Sequence, residues 1–187
     1  VIEGGIGSLP SDANGQVSGV VKGETLTNEL GLSLESTDGW TYDAALTTFE
    51  NGTIIINAKN GQFISAKKPT NLKPNTVYTV CVDIIDNTMS DYFALLRSLD
   101  YGLPGTIRIS AGQTGYIKRT FKTGEITSNE FLMHTSTLAL DGEYIKLKNL
   151  IVVEGDYTDR EIPYITDTKS TVSAMRLKSV GKNLFDG

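Results

Sequence analysis

The chain has 187 residues, 39% of them hydrophobic, with a net charge of −5 and a pI near 4.9. That length supports one domain with its own core and is short for two. The acidic balance excludes a dedicated nucleic-acid binder, which needs a concentrated basic surface, and no run approaches the ~20 apolar residues of a membrane span.

From Val1 to Gly23 the residues are mostly Gly, Ser, Asp, Asn and Val with little apolar periodicity, which predicts an extended arm or linker (1–23). Its first ten residues lack the basic and apolar regions of a secretory leader, so any compartment address is expected to lie outside this chain or to come from assembly with partners. Within the arm, Val17 to Val21 is able to pair as a strand if a neighbour, another chain included, supplies an edge.

Residues 24–157 read as an all-β domain: short β-branched and aromatic runs separated by Gly, Asn, Asp and Pro turns, the pattern of an antiparallel sandwich or barrel. Thr53 to Asn57 is an apolar run of the buried-strand type, and Gly61 to Ala66 is expected to pair with it across Lys59-Asn60-Gly61. Asn71 to Asn75 turns the chain into Thr76 to Ile85, where period-two alternation sends Tyr78, Val80, Val82 and Ile84 to the core. Further strands are predicted at Tyr92 to Arg97, Thr106 to Ser110, Tyr116 to Lys122, Glu130 to Thr135 and Glu143 to Val153. In the last, Ile145, Leu147, Ile151 and Val153 form the expected inward row, and the polar Asn149 on that row predicts a bulge or a capped gap. About eight or nine strands result, enough for two sheets. Residues 158–187 hold Pro163 and scattered apolar positions and read as a second extended linker. Its end, Ser179 to Gly187, loosely echoes Gly23 to Gly31 through an Asn beside a Leu and a nearby Gly, as if the next copy of a module began there.

Catalytic chemistry finds little footing. The only histidine, His134, alternates with apolar neighbours in Phe131-Leu132-Met133-His134-Thr135 and reads as a hydrogen-bonded strand residue; there is no Gly-x-Ser-x-Gly elbow and no zinc-ligand spacing. Cys81, alone, permits no internal disulfide and reads as a small buried residue. The acids Asp83, Asp86, Asp91, Glu154, Asp156 and Asp159 fall at turns and strand ends, where carboxylates cap the backbone more often than they pair for glycoside hydrolysis.

Two kinds of binding site stand as candidates instead, set against plain readings of the same residues as a solvated acidic rim and as ordinary packing tyrosines. A structural calcium ion would draw on Glu24, Glu154 and Asp156, near the two ends of the domain. Saccharide binding needs flat aromatic faces and polar side chains for hydroxyls. Its candidates are Trp40, Tyr42, Tyr92, Tyr101 and Tyr116 with Arg97, Arg108 and Lys118, although Trp40 after Asp38-Gly39 also reads as a core plug. Arg108 stands between Ile107 and Ile109, and Tyr116 and Lys118 flank Ile117, so these three are expected to project away from the core.

The stretch Asn71-Leu72-Lys73-Pro74-Asn75-Thr76-Val77-Tyr78-Thr79-Val80 resembles the jelly-roll modules of carbohydrate-binding families, and Tyr116 to Phe121 and Gly142 to Gly155 resemble their late strands. Glu154 to Asp159, Ile162-Pro163-Tyr164 and Met175 to Asp186, ending Gly-Lys-Asn-Leu-Phe-Asp, resemble minor structural and tail-fibre proteins of tailed bacteriophages and prophages. The resemblance implies a non-enzymatic jelly-roll β-sandwich of a virion tail, contacting other tail proteins or host cell-surface polysaccharide, often as a homo-oligomer such as a trimer. It carries over no catalytic residue. The alternative is a carbohydrate-binding module of a secreted, extracellular enzyme or adhesin.

Overall fold

A computed structural model describes residues 24–31, 34, 36–96, 106–125, 130–160, 162 and 169–172, with the side chains of 24, 25 and 169–172 outside that description. The arm expected over 1–23 and most of the linker expected over 158–187 therefore lie outside the described residues. The chain divides into two units: residues 26–170, and a second drawn from 1–25 and 171–187.

The described elements are all strands: β1 (Glu24–Thr27), β2 (Thr41–Tyr42), β3 (Thr47–Glu50), β4 (Thr53–Asn57), β5 (Ser65–Pro69), β6 (Val77–Asn87), β7 (Phe93–Leu96), β8 (Ile107–Ile109), β9 (Gly115–Lys122), β10 (Glu130–Thr135), β11 (Tyr144–Glu154) and β12 (Lys169–Val172). Two five-stranded sheets, ordered β2-β5-β10-β7-β8 and β3-β4-β11-β6-β9, form the sandwich, and every pairing within them is antiparallel. β1 pairs with β12, so a strand lies inside the stretch expected to be linker.

The core forms where the inward rows of the two sheets meet. Tyr78, Val80, Val82 and Ile84 of β6, with Ile54 and Ile56 of β4, face Phe93 and Leu95 of β7, Ile109 of β8 and Phe131 and Met133 of β10 in one buried cluster. Tyr78 ends its row usefully: its hydroxyl accepts a hydrogen bond from Lys73 N at 2.8 Å, so the polar tip of a buried ring is satisfied where the Lys73-Pro74 turn enters β6.

Two expectations are corrected. Thr53–Asn57 does not pair with the strand after Asn60-Gly61; it pairs with β3, whose Glu50 stands opposite Thr53. The intervening Asn51 and Gly52 have φ of 50° and 70°, the left-handed pair that a two-residue hairpin demands. The Asn60-Gly61 turn instead passes the chain from one sheet to the other. Gly61 N donates to Thr137 O and Asn60 N to Asp141 Oδ1, ties to a distant loop rather than to a hairpin partner.

The second correction concerns β11. Asn149 has φ 55° and sits where the register with β6 shifts between Lys148 and Ile151, so the expected bulge is present. An inserted residue reverses the alternation beyond it. Ile145 and Leu147 therefore face the core as expected, but past the bulge Leu150 and Val152 join the core cluster, while Ile151 and Val153 are buried outside it.

Gly155 anchors the loop that leaves β11. Its φ is 117°, and a Cβ there would lie 2.8 Å from Cε2 of Tyr157, a buried ring. Thr79 Oγ1 donates to Gly155 O and accepts from Tyr157 N, fixing this loop against β6. Gly155→Ala is expected to destabilise the fold by about 2 kcal/mol or more through combined clash and backbone strain, read as a lower denaturation midpoint. A midpoint equal to that of the parent would show that the loop yields freely.

Candidate functional site

The residues most suited to ligand contact gather on the outer face of the β2-β5-β10-β7-β8 sheet. β7 and β8 pair with Ala94 opposite Arg108, and β10 places His134 opposite both Ala94 and Ser65 of β5. Ser65, His134, Ala94 and Arg108 therefore form one row across four strands. At ~4.8 Å per strand this row spans about 14 Å, the scale of a short oligosaccharide rather than a single sugar.

Each end of the row carries an aromatic contact. Arg108, exposed between two inward isoleucines, lies with Cζ 4.1 Å from the ring centroid of Tyr92, a cation–π contact that holds the guanidinium over the ring. At the other end Phe63 meets the His134 ring edge-on, with centroids 5.0 Å apart at 84°. Phe63 is 51% exposed whereas His134 is buried. The Nδ1 of His134 is 2.8 Å from Thr135 O, and because a carbonyl only accepts, Nδ1 carries the proton. Beside the row, Lys67 and Glu130 form an ion pair at 3.1 Å. Ala94, Leu132 and His134 at the centre are shielded, so a ligand meets Phe63 and Arg108 first.

Of the candidates named from sequence, Tyr92 and Arg108 are brought together. Arg97 and Tyr101 belong to the connection between β7 and β8 and lie outside the described residues. Tyr116 and Lys118 project outward as expected, but from β9, in the opposite sheet. Lys118 Nζ donates to Arg160 O at 2.7 Å. Trp40 is a core residue, with Phe49 at 5.6 Å and Lys68 Nζ 5.6 Å from its ring, and Tyr42 packs 4.9 Å from Phe49. Burial beside that indole pulls the Lys68 ammonium below its ordinary pKa.

Sequence reasoning missed Phe63. Its signal was available, because Ile64 and Ala66 alternate inward and so place Phe63 and Ser65 outward.

The carboxylates are mostly committed singly. Asp83 accepts from Asn149 Nδ2 at 2.6 Å, Asp86 from the Tyr144 hydroxyl at 2.5 Å, and Asp91 from Ser136 Oγ. That hydroxyl holds the Asp91 carboxyl below the usual range. Of the calcium candidates, Glu154 pairs with Lys73 at 2.6 Å, and Asp156 accepts from the Thr158 hydroxyl and amide, which hold its pKa down. No group of three potential metal ligands occurs among the described residues, and the side chain of Glu24 lies outside them. Cys81 is buried, and burial pushes its thiol pKa up, as suits an inert residue.

No family model and no curated protein matches the chain. Solved structures do. A point mutant of a carbohydrate binding module of family 29 matches with a TM-score of 0.50 and 15% identity, over 76% of this chain and 100% of that one. A second mutant module of family 29, complexed with cellulohexaose, matches with a TM-score of 0.50 and 16% identity, over 77% of this chain and 100% of that one. What they share with this chain is the fold. The antiparallel β-sandwich expected from sequence is thus the architecture of known carbohydrate-binding modules.

Proposed function

We propose that the chain is a non-catalytic carbohydrate-binding module whose site is the outer face of the β2-β5-β10-β7-β8 sheet. The observation that carries this reading is the pairing of Arg108 with Tyr92 and of Phe63 with His134 at the two ends of one cross-strand row. Aromatic contacts at both ends, with the hydrogen-bonding groups of Ser65, Lys67 and Glu130 between and beside them, meet the needs of a polyhydroxylated chain. The fold likeness to carbohydrate-binding modules, one of them complexed with cellulohexaose, supports the same reading.

The setting is extracellular, where polysaccharide is met. The Gly181-to-Asp186 string favours one version of that setting, a virion tail in which the module contacts host-surface polysaccharide and neighbouring tail chains. Detection of the chain in purified virions tests this version without bearing on the sugar site.

The binding claim is tested by affinity electrophoresis through gels containing soluble polysaccharides. At least one glucan or mannan is expected to retard the protein, without release of reducing ends on prolonged incubation. Arg108→Ala is expected to weaken that retardation by about tenfold or more, since it removes the charge and bares Tyr92. Unchanged mobility on every polysaccharide would refute the reading.

A further inference from the structure

The row on the outer face stands at one end of its sheet. β5 begins at Ser65, β7 begins at Phe93 and β10 ends at Thr135, and both flanking strands run antiparallel to β10. The residues just beyond the row are therefore Phe63, Tyr92 and the loop from Ser136 to Glu143. That loop is tied to both aromatic ends. Ser136 Oγ donates to the Asp91 carboxylate, next to Tyr92, and accepts from Leu138 N at 3.1 Å. Thr137 O accepts from Gly61 N at 3.0 Å, two residues before Phe63.

The loop holds apolar side chains in water. Ala139 is fully buried in the core cluster and pegs the loop down, while the leucines on either side stay outside, Leu138 71% and Leu140 52% exposed. Leu140 N is fixed as well, donating at 2.9 Å to Glu143 Oε2, which also accepts from Ser90 N. A loop fastened at four successive points cannot tuck its leucines under cover. With Phe63, three of the five exposed large hydrophobic side chains among the described residues fall at this one end, a concentration rather than the usual scatter. Gln62 lies exposed beside them, its backbone held by Lys59 O and Thr135 Oγ1.

We infer that Leu138, Leu140 and Phe63 form an apolar lip on the saccharide row that takes the methyl ends of acetamido groups, so that the preferred ligand is an N-acetylated glycan. This rests on the saccharide reading of the row. Sugar hydroxyls gain nothing from leucine, so a saccharide that uses the lip carries an apolar substituent. The acetamido group supplies a methyl at the end of a planar amide. The methyl packs on the leucines, and the Gln62 amide donates to the acetyl carbonyl or accepts from the acetamido N–H. A 6-deoxy sugar brings a methyl without the amide and leaves Gln62 unused.

Isothermal titration of the whole chain with hexa-N-acetylchitohexaose and with cellohexaose tests the lip, because the two share one β-1,4-linked backbone and differ only in acetamido for hydroxyl. The acetylated ligand is expected to bind about tenfold more tightly, the yield of burying one or two methyl groups. The double variant Leu138→Ser/Leu140→Ser is expected to reduce that preference to about twofold or less. Both side chains are exposed, so its melting curve is expected to match the parent's. Equal affinities for the two ligands overturn the proposal and leave the saccharide face standing. A preference that persists in the double variant overturns it too. So does absence of binding to hexa-N-acetylchitohexaose, in which case the polysaccharide gels report separately whether the face binds another sugar.

Discussion

Phe131→Ala is expected to cost about 3–5 kcal/mol of folding stability, a large share of what a domain of this size possesses. Phe131 is fully buried on β10, the central strand of its sheet, and belongs to the shared core cluster. Removing its ring deletes packing against both sheets and leaves a cavity that flanking strands cannot close, because each is held by two hydrogen-bonded neighbours or by the facing sheet. Leu138, a similar apolar side chain but 71% exposed, is the internal control. Leu138→Ala is expected to change stability by no more than about 0.5 kcal/mol. Urea unfolding of the two variants checks both values, and equal losses would show that the core is misplaced.

Asn28→Ala is the second large effect, expected at about 2–4 kcal/mol. The β4 pairing ends at Thr53 opposite Lys148, so among the described residues the far half of β11 has no strand on that side. Asn28 fills the gap. Its Oδ1 accepts from Val152 N at 3.0 Å and from Leu30 N at 3.2 Å, its Nδ2 donates to Gly31 O at 2.8 Å, and Glu29 N donates to Val152 O. The side chain is buried, so alanine strands the backbone groups it served. Asn28→Asp keeps the acceptor but sets a carboxylate oxygen against the Gly31 carbonyl, and it too is expected to destabilise. A loss below about 0.5 kcal/mol in both variants would mean that water replaces the amide.

Much of this architecture is legible in residue order. The alternation of β6 and the apolar run of β4 reproduce the observed core rows because burial of one face is written at period two. Other features are not local. Asn51-Gly52 and Asn60-Gly61 are the same dipeptide, yet only the first closes a hairpin, because Glu50 and Thr53 beside it are already strand residues. The second is flanked by loop on both sides and turns between sheets. At Asn149 the sequence marked the bulge, but the reversal beyond it depends on how many residues the partner strand spends there.

The binding face shows the same division. That Arg108, Tyr116 and Lys118 point outward follows from their isoleucine neighbours. That Arg108 belongs to one sheet and the other two to the opposite sheet follows only from the crossover between β8 and β9, which no local pattern records. Asn28 carries a different lesson. The echo between Gly23 to Gly31 and Ser179 to Gly187 singled out an asparagine, and the structure gives the first of the pair a specific task. Its counterpart, Asn183, lies outside the described residues.

The most direct test of the account is an amide-resolved NMR titration of the whole chain with the neutral oligosaccharide corresponding to the polysaccharide that retards it most. The largest shifts are expected on Phe63, just before β5, and on Ser65, His134, Ala94 and Arg108, across β5, β10, β7 and β8. Shifts confined to loops away from that row, or to the β3-β4-β11-β6-β9 face, would contradict it.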